Sequence, residues 1–359
     1  MFRSFQIERF RGFELLKLSG LDRFNLFLGR NNTGKTAILE AFFLILGPNN
    51  PGLTFTISGF RGIDQFRIDP EEMWGWLFYG KQMSEAINMS AKVDSGGTRK
   101  LAITLGDTRE IPFRSRTKAS KVLRHSQGTA STTGTPGELI VDYQDESGKQ
   151  FRSKAFIKDN SVAISHDGKR SKLATSIYVS SKAAYAAENV SRFSQLEETG
   201  GEKDLLPVLQ VLEPRLQRLS VLISGAGPVI HADIGIGRMI PLPIMGDGIG
   251  KLLTVLLSIA SSKGGVTLID ELDNGLHYSV MEQVWLAIIA LARKLDVQVL
   301  ATTHSWECLK SAHAAFSSFK DVPYDLRLHR LDREKGAITT TLYDQSKIET
   351  ALAYGMELR

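Results

Sequence analysis

Polar and apolar positions alternate at the N-terminus, Phe5-Gln6-Ile7-Glu8-Arg9-Phe10, with the two-residue period of a half-buried strand. Arg11-Gly12 marks a turn, and the segment after it reads as a second strand ending in the apolar run Phe24-Asn25-Leu26-Phe27-Leu28. A glycine-rich loop follows at once. The helix predicted from Thr36 to Leu46 stops at Gly47-Pro48-Asn49-Asn50-Pro51, which is hostile to helix continuation. Short strands separated by turn-rich pieces are predicted between residues 86 and 180. A helical pattern is predicted over 183–222, broken at Thr199-Gly200-Gly201, with leucines at 205, 206, 209, 212, 216 and 219 on one face. An α/β rhythm then returns: a helix over 250–261, a strand over 266–269, a helix over 279–294, a strand over 297–302 and a closing hairpin around Lys335-Gly336.

A chain of 359 residues with 42% hydrophobic content can bury a substantial core. Its longest apolar runs are too short to span a bilayer, so a cytoplasmic protein without membrane contact is expected. A single cysteine, Cys308, excludes an internal disulfide and a structural Cys/His zinc cluster, leaving oxygen ligands for any metal. The net charge of +5 means little until it is located. Residues 96–172 hold fifteen Lys/Arg against eight Asp/Glu, so this stretch carries the whole basic excess. A phosphate-backbone partner such as DNA is conceivable there, through Arg109, Arg114, Arg116, Lys118, Lys121 and Arg124.

The clearest chemistry lies in Gly29-Arg30-Asn31-Asn32-Thr33-Gly34-Lys35-Thr36, with Ala37 opening the helix behind it. In G-x-x-x-x-G-K-[ST] the glycines let consecutive N–H groups wrap phosphate oxygens at a helix N-terminus. Lys35 supplies a point charge for the β/γ-phosphates of ATP, and the Thr36 hydroxyl suits Mg²⁺. Val266-Thr267-Leu268-Ile269 reads as a buried strand ending in Asp270-Glu271. Asp270 is expected to hold the metal, while Glu271 polarises the attacking water. Lys35 and Asp270 stand 235 residues apart, farther than a compact P-loop core requires, so something large is inserted between them.

Five blocks, FQIERFRGFELLKL, GRNNTGKT, MGDGIGKLL, LIDELDNGLH and VLATTHS, taken in this order, resemble the SMC/RecF/OLD group of ABC-type ATPases. The resemblance implies an α/β fold, an ATPase head assembled from both chain ends around a mixed strand/helix insertion. On that reading residues 1–85 and 225–359 form the head and 86–224 the insertion. It also implies that Gly246, Asp247 and Gly248 form a signature loop reaching a partner's γ-phosphate in an ATP-dependent head-to-head homodimer. Gly246 stands where the family commonly has serine, which removes a hydroxyl donor from that contact. Asp273-Asn274-Gly275 matches the dimer-contact loop, His304 the switch histidine that senses the γ-phosphate, and Gln82 or Gln65 is a candidate for the family's glutamine.

The resemblance leaves the cellular task open. No N-K-x-D motif supports a GTPase, and the strand-rich insertion argues against a transporter motor. Short relatives without a long coiled coil look like ATPase components of bacterial defence systems. With no TOPRIM carboxylates after the histidine strand, an effector or nuclease is expected on a separate polypeptide. The alternative is a RecF-like DNA repair or maintenance ATPase that grips DNA directly through the basic 96–172 stretch.

Overall fold

The computed structural model of the chain describes residues 1–63, 69–107, 137–158, 161–167, 175–181, 186–225, 227–334 and 336–356. The chain opens with β1 (Phe2–Phe10), β2 (Phe13–Ser19), β3 (Phe24–Gly29), α1 (Lys35–Leu46), α2 (Leu53–Gly59) and α3 (Pro70–Trp74). Six strands follow: β4 (Ile87–Val93), β5 (Thr98–Asp107), β6 (Gly137–Gln144), β7 (Gln150–Lys158), β8 (Ser161–Asp167) and β9 (Ser176–Val179). Then come α4 (Ala186–Glu197), α5 (Leu206–Leu209), β10 (Arg218–Ser224), β11 (Gly227–Asp233), β12 (Ile240–Pro241) and α6 (Asp247–Ser261). The last elements are β13 (Val266–Ile269), α7 (Met281–Lys294), β14 (Gln298–Thr302), α8 (Trp306–Ser318), β15 (Leu326–Glu334), β16 (Ala337–Tyr343) and α9 (Gln345–Ala353).

Two large sheets organise the molecule. One has seven strands in the order β2-β1-β4-β5-β6-β7-β8, every neighbour antiparallel. The other has six in the order β16-β15-β3-β14-β13-β9, parallel from β15 to β9 with β16 antiparallel at one edge. Parallel strands covered on both faces need continuous apolar runs, and every residue of β3, β13 and β14 is buried. Successive side chains alternate between two cores. Phe27, Leu268, Leu300 and Tyr178 face α1 and the antiparallel sheet, whereas Leu26, Leu28, Ile269, Val299 and Ala301 join α6, α7 and α8. α1 is thus sandwiched between the sheets, which explains why ten of its twelve residues are buried.

The strand expected to run up to Leu28 divides in two at Gly20, whose φ of 70° turns the chain out of one sheet into the other. The helix expected over 183–222 is corrected more substantially. α4 ends at Glu197, α5 is a single turn with Pro207 as its second residue, and Leu219 lies on β10. Pro207 and Pro214 lack the N–H that a continuous helix would need, and β10 pairs with β11 over its full length, from Arg218↔Asp233 to Ser224↔Gly227. The leucine period persists because Leu205, Leu209, Leu216 and Leu219 all enter one core by different routes. The boundary expected at residue 86 falls within a sheet, since β4 pairs with β1, and β9 joins the parallel sheet beside β13. The 86–224 stretch is therefore divided between the sheets and the third, β10-β11-β12.

One buried charge cluster fixes α1 to its surroundings. Glu40, one helical turn beyond Thr36, is fully buried and takes Arg11 Nε at 2.6 Å on Oε2 and Arg61 Nε at 2.7 Å on Oε1. Arg11 sits in the β1–β2 turn with φ 51°, and Arg61 follows α2, so one carboxylate ties three segments together. Burial lowers the Arg11 pKa from its ordinary value, with Glu40 opposing the shift. Removing one partner from a buried pair leaves an uncompensated charge, so Glu40→Ala should lower unfolding free energy by about 3 kcal/mol. Urea denaturation of Glu40→Ala and Glu40→Gln checks this; the glutamine variant should lose less because its carbonyl still accepts.

Candidate nucleotide site

The carboxyl ends of β3, β14 and β13 lie side by side at one edge of the parallel sheet, and each runs into a loop holding polar groups. Ligands bind at this edge in open parallel sheets because the loops and helix N-termini converge there. The loop after β3 is shaped by positive φ angles at Gly29 (141°), Asn32 (63°) and Gly34 (93°). Gly34 is the residue before α1, and a Cβ there would come within 2.6 Å of the Phe13 ring. At Gly29 a Cβ would stand 2.4 Å from the Leu331 carbonyl oxygen, so both positions require glycine. Thr33 Oγ1 donates to the Arg30 carbonyl at 2.8 Å and Arg333 Nη2 to the Asn32 carbonyl at 3.3 Å, bracing the loop from inside and outside.

Lys35 Nζ folds back over the loop and donates to the Gly29 and Arg30 carbonyls at 2.7 and 2.8 Å. Burial lowers its pKa to about 8, opposed by the charges of Asp270 and Glu271. Arg30, Asn31 and Asn32 are exposed, Thr33 and Ala37 are buried. The Thr36 hydroxyl donates to the Asp270 carboxylate, 3.1 Å from Oδ1 and 3.2 Å from Oδ2. Residues 235 apart in sequence, Lys35 and Asp270, thereby share one site, and Thr36 and Asp270 offer the oxygen donors that Mg²⁺ prefers. The glycine-shaped backbone, the buried ammonium and this hydroxyl–carboxylate pair fit a nucleotide triphosphate with Mg²⁺.

Glu271 follows Asp270 in a left-handed conformation, φ 49°. Its N–H donates to Thr302 Oγ1 at 2.8 Å, and Thr302 Oγ1 donates to Asp270 Oδ1 at 2.7 Å. Thr303 Oγ1 donates to Asp273 Oδ1 at 2.5 Å, which ties the next loop to the end of β14. His304 comes directly after these threonines; burial lowers its pKa, as does the charge of Lys35, against Glu271, Asp273 and Asp270. Gly246 and Asp247 are exposed at the N-terminus of α6. Gly248 packs on the Asp273-Asn274-Gly275 loop so closely that a Cβ would lie 2.7 Å from the Gly275 carbonyl oxygen.

The structure therefore brings Lys35, Thr36, Asp270, Glu271 and His304 to one sheet edge, and the Gly246–Gly248 segment against the loop that follows Glu271. Gln82 accepts from Arg9 Nη2 at 2.5 Å; Gln65 lies outside the described residues, as do Arg109, Arg114, Arg116, Lys118, Lys121 and Arg124. Two residues escape sequence reasoning. Thr302 looks like any β-branched strand residue, although the hydroxyl pair Thr302-Thr303 ahead of the histidine was a signal. Lys251, one turn beyond Asp247, donates to the Asp270 carbonyl at 3.2 Å and links α6 to the carboxylate strand. No helix among the described residues is long and apolar enough to cross a membrane.

The chain is similar to several known proteins. A Helicobacter pylori protein named "ATP/GTP phosphatase" is 23% identical over 378 residues, covering 97% of this chain and 97% of its own. The SMC head solved in complex with the C-terminal winged-helix domain of ScpA has a similar fold, with a TM-score of 0.50 at 11% identity over 97% of this chain and 99% of that one. The Smc head domain from Pyrococcus furiosus, bound to the C-terminal domain of ScpA, gives 0.48 at 9% identity over 99% of both chains. Residues 24–309 match the family model described as "AAA domain, putative AbiEii toxin, Type IV TA system". That match spans most of the chain, which belongs to this AAA-domain family and is a P-loop ATPase with an SMC-like fold.

Proposed function

We propose that the chain is an ATP-driven dimerising switch that binds and hydrolyses ATP and acts on a separate effector in a bacterial defence system. The observation that carries the hydrolytic part is the hydrogen bond from Thr36 to Asp270, with Glu271 immediately beyond it. The P-loop N–H groups and Lys35 hold the β/γ-phosphates. Thr36 and Asp270 would hold Mg²⁺, which would neutralise charge on the phosphate oxygens. Glu271 takes a proton from the water whose oxygen attacks the γ-phosphorus; the bond to the β–γ bridging oxygen breaks, releasing ADP and phosphate. His304 donates a ring N–H towards the γ-phosphate.

The switch rests on the surface beside the site. Gly246 and Asp247 are exposed at the N-terminus of the fifteen-residue α6, where unpaired N–H groups favour an anion. Ile244 at 74% and Tyr278 at 65% exposure flank this segment and its packed neighbour loop, an apolar rim suited to a second copy. A twofold arrangement would let each protomer's α6 complete the other's phosphate site. The defence role is supported by the toxin–antitoxin wording of the family description.

Two outcomes are expected. Lys35→Ala removes the phosphate charge and should weaken ATP binding by at least about 100-fold, measured by equilibrium titration of a fluorescent ATP analogue. Light scattering on Glu271→Gln should show the mass moving from protomer to dimer only when ATP and Mg²⁺ are added. A mass unchanged by nucleotide contradicts the switch.

A further inference from the structure

The end of β14 does more than carry His304. Thr302 is 1% exposed, and three of its contacts close on three consecutive residues of the carboxylate loop. Its hydroxyl donates to Asp270 Oδ1 at 2.7 Å and accepts the Glu271 N–H at 2.8 Å, while its carbonyl accepts the Leu272 N–H at 3.0 Å. Between them stands Glu271, a non-glycine residue held at φ 49°, a conformation that side chains with a Cβ disfavour. Such a backbone persists only where its surroundings over-determine it. The hydroxyl is the group that does so from the side-chain direction.

We infer that Thr302 is the positioning residue of the hydrolytic centre: its one hydroxyl sets the aim of both carboxylates. The donated bond holds Asp270 facing Thr36, whose own hydroxyl reaches the same Oδ1 at 3.1 Å. The accepted bond pins the peptide from which the Glu271 side chain departs. Thr302 touches neither phosphate nor water in this scheme and acts only through its two neighbours. The next residue extends the device, since Thr303 Oγ1 holds Asp273 at 2.5 Å, so the strand end that carries His304 is joined to the whole 270–273 loop. This inference rests on the reading of Glu271 as the general base.

Thr302→Val keeps the β-branched shape of the strand and the Leu272 bond to the main chain but removes both hydroxyl bonds. A lost bond to a charged group in a buried site corresponds to roughly a 10- to 100-fold effect, so kcat for ATP should fall by about that factor. ATP affinity should stay within about threefold, because the P-loop is untouched. Thr302→Ser, which restores the hydroxyl, should return kcat to within about threefold of the parent. If the valine variant does not fold, Thr302→Cys against Thr302→Ser makes the same comparison at nearly equal size, and the cysteine should be at least about fivefold slower. Melting temperatures and Glu271→Gln are measured alongside. Parental kcat in folded Thr302→Val, or a serine variant as slow as valine, overturns the positioning role while an inactive Glu271→Gln leaves the hydrolytic reading standing. Parental turnover in Glu271→Gln overturns both.

Discussion

The structure depends on where three parallel strands stop. β3, β14 and β13 are adjacent and aligned, with Phe27 opposite Thr302 and Ile269 opposite Ala301, so their loops must emerge at the same edge. Each strand is fully buried, and a one-residue slip would exchange the side chains that enter the two cores. The packing that fixes this register therefore also fixes the distance between the phosphate loop and Asp270-Glu271. A chain whose Lys35 and Asp270 stand 235 positions apart can build a precise site because hydrophobic burial, rather than the intervening loops, sets the geometry.

Around that edge the backbone is held in conformations that side chains resist. Asn32 and Glu271 have positive φ, and the glycines at 29 and 34 are bounded by atoms that leave no room for a Cβ. The supports come from outside the loops themselves. Phe13 presses on Gly34, Arg333 holds the Asn32 carbonyl, and Glu40 binds the β1–β2 turn through Arg11 and the end of α2 through Arg61. Thr302 and Lys251 brace the carboxylate side from β14 and α6. The N-terminal hairpin, remote from Asp270 in sequence, thus stabilises the same site from its opposite wall.

How much of this was legible follows from which residues have no alternative explanation. The P-loop could be read because its glycines answer a backbone requirement and its Lys-Thr pair a chemical one; Asp270-Glu271, at the end of a kind of strand too common to stand out alone, could be read because the P-loop requires a metal-holding carboxylate opposite it. The assembly of a parallel sheet from both chain ends was legible through the spacing and the family resemblance. β10 was not, because Leu205, Leu209, Leu216 and Leu219 keep a helical period while Pro207, Pro214 and the partner strand β11 decide otherwise. Thr302 and the Arg11–Glu40–Arg61 cluster were hidden for a different reason: their partners lie far away in sequence, and single residues of these types carry no pattern.

The most direct test of a site assembled across the chain is phosphate release by Glu271→Gln, measured beside equilibrium ATP binding by the same protein. Binding within about threefold of the parent, with turnover reduced by at least about 100-fold, is the result this account predicts. Turnover at the parental rate would contradict it, because the strand end that the fold places beside Thr36 would then not supply the general base.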